Sequence, residues 1–227
     1  MSRRAAPVLA LALLVGGSAA AESPSKTVEK TLPLAAAGRL SVDTYKGRVT
    51  VAAWDREEAS IRAVVTPDGS CDTAAELVEK TRVRIEGGGK EVRVVSDYDD
   101  LPKRVFSFSS DCSSRPFVAY EIRMPRSAAL DVQDYKSRIA VDGVTGAVAV
   151  ESYKGTMRLT GLASALEVET YKGDVFAEFD RLAGSVRAET YKGEIELAFP
   201  KGARIDLGES VGRRGVLRTD LADTAGG

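Results

Sequence analysis

Val148-Ala149-Val150-Glu151-Ser152-Tyr153-Lys154-Gly155-Thr156-Met157-Arg158-Leu159 is a strand, a tight corner and a second strand in twelve residues. The same design returns at residues 166–177 and 186–197. Its corner is Ser152-Tyr153-Lys154-Gly155, then Thr170-Tyr171-Lys172-Gly173, then Thr190-Tyr191-Lys192-Gly193. Two further copies lie upstream, Asp134-Tyr135-Lys136-Ser137 and Thr44-Tyr45-Lys46-Gly47. The last four tyrosines are 18, 18 and 20 residues apart. Alternating apolar residues follow each corner: Val49/Val51, Ile139/Val141, Met157/Leu159, Val175/Ala177 and Ile195/Leu197. That period of two marks a half-buried strand. Turns at residues 143–146, 161–164 and 182–185 lead into Val148-Ala149-Val150, Leu166-Glu167-Val168 and Val186-Arg187-Ala188.

A unit of strand, turn, strand, turn with the same residue types at the same corners reads as a coil of a solenoid. The fold class expected is therefore all-β, a single-chain β-solenoid of stacked coils. Stacking would place each corner over the last at about 4.8 Å. The five tyrosines would form one column. Lys46, Lys136, Lys154, Lys172 and Lys192 would form another. Glycine at the corner supplies either a positive φ or room that a Cβ would obstruct. Lysines so close repel one another. Asp43, Asp134, Glu151, Glu169 and Glu189, one or two positions before each tyrosine, are expected to line up as a compensating acidic column.

Ninety residues separate the first copy from the second. An inserted helix-plus-hairpin module is expected there, at about residues 66–116. Thr73-x-x-Glu76 is a capping box ahead of a short helix. Residues 81–86 and 91–96 flank Gly87-Gly88-Gly89 as a hairpin. Residues 97–115 read as a polar loop, and Phe117 to Met124 as a strand.

At the N-terminus, Arg3 and Arg4 precede a short apolar run, and Ala19-Ala20-Ala21 offers a cleavage site. Residues 1–21 are read as a signal peptide, 22–207 as the solenoid and 208–227 as a loose tail or incomplete closing coil. The mature chain then has 30 Lys and Arg against 33 Asp and Glu, a net charge of −3. The signs interleave, which argues against nucleic acid. No later stretch is long and apolar enough to cross a membrane. Export implies that the pair Cys71 and Cys112 forms one disulfide, closing a loop of about 40 residues.

Gly38-Arg39-Leu40-x-Val42, with Gly47-x-Val49-x-Val51-x-x-Trp54-Asp55, resembles the opening of the bacterial adhesin-like domains of unknown function known as Toastrack domains. The later coils match its Ser-Gly-Asp-Ile-like corner at Lys154-Gly155, Lys172-Gly173-Asp174-Val175 and Lys192-Gly193-Glu194-Ile195, with Tyr-Lys where the family more often has Ser. The resemblance spans about residues 28–207. It implies a right-handed solenoid in the cell envelope, periplasmic or extracellular, and carries no catalytic residues.

Other constellations carry less. Asp97, Asp99, Asp100 and Asp111 lack the spacing of a calcium loop and read as a solvated acidic loop. Gly87-Gly88-Gly89-Lys90 is a turn rather than a phosphate loop. Ser107, Ser109 and Ser110 have no histidine partner, because the chain contains none, which excludes a Ser-His nucleophile. Trp54 reads as a core or end-cap aromatic. No cofactor or metal is implied. Two functions of different class remain. One is a non-catalytic envelope module, structural or adhesive, whose Tyr/Lys strip contacts an envelope glycan or protein. Tyrosine faces suit sugars, and the lysines suit acidic groups. The other is a polysaccharide-active enzyme using paired carboxylates in a solenoid groove.

Overall fold

The computed structural model describes residues 23–69, 72–101 and 115–206, with Gly208, Val216 and Arg218. In chain order it holds β1 (Lys26–Trp54), β2 (Glu58–Thr66), α1 (Ala74–Lys80), β3 (Arg82–Asp97), β4 (Phe117–Pro125), β5 (Ala129–Asp142), β6 (Val148–Leu162), β7 (Leu166–Lys172), β8 (Val175–Phe179), β9 (Val186–Lys192) and β10 (Ile195–Ala198). The ten strands join in one hydrogen-bonded sheet.

The long strands β1, β5 and β6 each run through a corner. In β6, residues 148–152 pair with β7 while 157–159 pair with β8. β7 and β8 are thus the two arms of the next coil, and β9 and β10 those of the last. All these pairings are parallel, and they keep one register except for a shift between Leu159 and Leu162 where β6 meets β8. Inward-facing residues consequently stack into columns. Leu40, Leu130, Val148 and Leu166 form one; Val49, Ile139, Met157 and Val175 form another. All eight are buried. Each such side chain removed from water is worth about 1.5–3 kcal/mol, so the period-2 pattern both directs and holds the coils.

The first corner copy is not isolated in space. β1 pairs with β5 in parallel from Arg39 to Ala52, which sets Lys46 beside Lys136 across the 90-residue gap. The expected separate module is itself partly solenoid. Residues 91–95 of β3 pair with residues 39–43, and β4 pairs with residues 47–54, so together they form a coil stacked on the first copy. The glycine-centred reversal within β3 is real. Arg84 Nε lies 3.4 Å from the Asp97 carboxylate, which an extended strand would hold about 40 Å away.

Beyond β4 the sheet continues antiparallel through β2 to residues 26–33 of β1. The α1 helix adds buried Ala74, Leu77 and Val78, and Lys26 Nζ donates to the Glu79 and Thr81 carbonyls at its C-terminal end. Thr73 makes no side-chain cap bond, so the expected capping box is not formed; Glu76 instead pairs with Lys80. One end of the solenoid is therefore closed. At the other end Val186, Ala188, Ile195 and Leu197 are only partly buried.

Candidate functional site

The corner column explains its own glycines. Gly47, Ser137, Gly155, Gly173 and Gly193 lie in register or directly over one another. A Cβ on Gly173 would stand 1.7 Å from the Gly155 carbonyl oxygen, and one on Gly155 would stand 2.0 Å from that of Ser137. Gly47 and Gly193 also have φ of 142° and 147°, whereas no positive φ occurs at Gly155 or Gly173. For these two, crowding by the neighbouring backbone is the reason for glycine. Ser137 is the exception. Its N–H and Oγ donate to Asp134 at 2.7 and 2.5 Å, and that bonding holds the corner.

Outside this column the tyrosines form a continuous stack. Ring centroids of Tyr45, Tyr135, Tyr153, Tyr171 and Tyr191 follow at 4.7, 4.9, 5.0 and 4.9 Å, with planes within 11° of parallel. The spacing is that of neighbouring strands. Tyr135, Tyr153, Tyr171 and Tyr191 are 41, 46, 44 and 69% exposed. Their faces, however, cover one another. Apart from the outer face of Tyr191 at the end of the stack, what they present to solvent is ring edges and phenolic hydroxyls, which removes sugar stacking on internal faces as a binding mode. Arg115 closes the stack at Tyr45, its guanidinium 4.2 Å from the ring centroid, and Tyr98 adds an edge contact at 6.1 Å. Neither was recognisable in the sequence, because both lie far from any repeat. Burial pushes the Tyr98 phenol up to about 12.

The lysines stack in register as well. Lys46 departs from the expected exposed row. It is 6% exposed, its ammonium bonded to the Asp68 carboxylate and 4.6 Å from the Phe117 ring centroid. Lys136, Lys154, Lys172 and Lys192 are exposed, and no ion pair joins them to any described residue. The expected compensating acids are arranged differently. Asp43, Glu151, Glu169 and Glu189 share a column with Gln133, on the first arms. Asp134 stands one position later, among Thr44, Ser152, Thr170 and Thr190, and is turned inward. It accepts from Ser137 and from Ser152 Oγ at 2.8 Å, and burial raises its carboxyl above the ordinary range. Thr44, Ser96 and Tyr120 extend this polar spine at 2.9 and 2.7 Å. Burial raises the Tyr120 phenol too.

The first arms carry a second feature. Asp43, Asp131, Glu151, Glu167 and Glu169 line a shallow groove of about 470 Å³. Its carboxylates project side by side from one sheet face. Arg39 pairs with Asp131 at its rim.

Asp97 is buried, held by the Asp99 N–H and by Arg82 and Arg84, which keep its carboxyl below the usual range; Arg82 also takes Asp100. Asp97 is thus neutralised by arginines rather than solvated, while Asp99 and Asp100 are exposed. Among the described residues no group of acids could hold a metal ion. Trp54 is half-buried, donates to the Glu58 carbonyl, and lies between Arg56 and Arg123, outside the core. Cys71, Cys112, Ser107, Ser109, Ser110 and Asp111 lie outside the described residues.

A comparison with curated proteins finds no match. Among solved structures, a candidate cell adhesion protein from Clostridium sporogenes ATCC 15579 shares the fold, with a TM-score of 0.54 and 9% identity over 77% of this chain and all of that one. A candidate adhesin from Parabacteroides distasonis ATCC 8503 is a weaker likeness, with a TM-score of 0.24 and 7% identity over 75% of this chain and 97% of that one. The Toastrack DUF4097 family model matches residues 16–210. With its stacked coils and glycine corners, the chain belongs to that family.

Proposed function

We propose that this chain is a non-catalytic module of the bacterial cell envelope, structural or adhesive, and that its Tyr/Lys corner strip is the contact surface. Residues 1–21 direct it to the periplasm or beyond, and Cys71 and Cys112 form one disulfide there; two free thiols in the mass spectrum of non-reduced protein would contradict the pairing. The observation that carries the reading is the row of tyrosine corners, four of them 41–69% exposed. A purely structural corner is served by Ser or Asn at less exposed aromatic cost. Solenoids use such repeated rows as extended binding faces. The fold likeness to a candidate cell adhesion protein supports the same reading.

The groove of Glu151, Glu167 and Glu169 is what favours the rival reading, a polysaccharide-active enzyme. A glycosidase needs carboxyl groups flanking the scissile bond, about 5–9.5 Å apart. Glu167 and Glu169 are neighbours along one face of one strand, and Glu151 is in register with Glu169. Their separations, about 5 Å across strands and about 7 Å along one, do not exclude such a pair; what favours the module is that the carboxylates stand side by side on one open sheet face.

The test replaces Tyr153 and Tyr171 with Ser together, in the chain from residue 22. Three of the four ring contacts are lost, about 2–4 kcal/mol in all. A milder Tyr191→Ser variant removes one contact at the exposed end. Folding is followed by circular dichroism, and capture by washed envelope fractions is measured. Folded variants that lose capture support the contact surface. A folded double variant that is captured like its parent reduces the strip to a structural ladder.

A further inference from the structure

We propose that the lysine column is the ligand-reading edge of this strip, and that it takes a linear acidic polysaccharide bearing carboxylates on successive sugars. This rests on the strip being the contact surface, and it names the chemistry that surface would read.

The first rung shows the interaction within the molecule. Lys46 is the in-register equivalent of Lys136, and its ammonium already holds a carboxylate, that of Asp68. The next four rungs repeat that lysine with no ion pair to any described residue. Their ammonium groups recur at about the strand spacing of 4.8 Å and repel one another. A polymer with regularly spaced carboxylates relieves that repulsion over successive rungs, whereas a single carboxylate meets one rung.

The neighbours favour the same partner. Ring edges carry the positive side of the aromatic quadrupole, and phenolic hydroxyls donate hydrogen bonds. The faces of Tyr135, Tyr153 and Tyr171 are occupied by their neighbours, so a neutral sugar lacks its usual platform along the column, and a single ring face, that of Tyr191 at the end, carries no stacked ring among the described residues. Two positions beyond the lysines, Arg48 and Arg138 are exposed at the first two rungs, whereas exposed Asp174 and Glu194 stand at the last two, so an anionic chain is favoured at Lys136 and Lys154. On the other side of the tyrosines, Glu151, Glu169 and Glu189 repel an anionic chain and confine it to the lysine side.

The experiment uses the chain from residue 22 and three probes: polygalacturonate, the same polymer fully methyl-esterified, and inorganic polyphosphate. Polygalacturonate is expected to bind, more weakly as salt rises, and the neutral ester is not. The Lys136→Gln/Lys154→Gln variant should bind about tenfold more weakly or worse, since two charge-assisted contacts are lost. A Lys136→Arg/Lys154→Arg variant should retain binding. These lysines are exposed, so folding is unaffected and checked by melting temperature. Absence of polygalacturonate binding, equal binding of the ester, or parental affinity in the Gln variant overturns the proposal. Polyphosphate bound as tightly as the polyuronate overturns the glycan assignment. If polygalacturonate fails while the tyrosine variants still abolish envelope capture, the ligand assignment falls and the contact surface stands.

Discussion

A glycine at the corner of this solenoid answers to the carbonyl of the coil beneath it. At Gly173 even a methyl group would meet the Gly155 oxygen at 1.7 Å, and that oxygen belongs to backbone, which cannot swing aside. Gly173→Ala should therefore cost about 1–3 kcal/mol or more, as overpacking does, read as a lower urea midpoint. An unchanged midpoint would show that the coils separate easily there. Asp134 offers a second test at this scale. Its carboxyl is raised above the ordinary value of about 3.9 by burial, against the pull of its serine donors. The folded chain thus keeps a proton that the unfolded chain has already released. The resulting stability is present below the unfolded value and is lost as pH rises through the folded one. Stability measured between those two values should fall with pH in the parent, and this step should vanish in Asp134→Asn. A step that persists in the variant would assign it to another group.

Each coil contributes two arms, and an arm is best protected when both of its edges are paired. β6 has β5 on one side and β7 with β8 on the other. β9 and β10 have β7 and β8 on one side, and among the described residues no strand pairs with the other. Their inward residues are half-buried where the equivalents in β6 are buried. Regions with fewer buried contacts open locally at lower free energy. Amide hydrogen exchange should accordingly be faster in residues 186–198 than in residues 148–162. Equal protection in both would mean that the last coil is covered in solution. The alternation that built these arms was readable residue by residue. Their corner tyrosines were readable as a column too, because identical positions of a repeat must superpose once the coils stack.

Across the whole molecule, the repeat alone determined the all-β class, the stacked coils and the columns, because a period of two and a recurring corner leave the chain few other ways to bury its apolar residues. Tertiary structure decided what the repeat could not express. The irregular stretch after the first copy contributes residues 91–95 and β4 to a further coil, with β2, α1 and residues 26–33 closing the end. Those pairings join residues far apart in sequence and carry no period. The same packing buried Lys46 against Asp68, turned Asp134 inward and left the other lysines exposed. It also pressed the tyrosine faces together, since a spacing set by backbone hydrogen bonds is too close for a sugar to enter between rings. A motif names the side chains, but which of their surfaces remain open depends on neighbours brought from elsewhere in the chain.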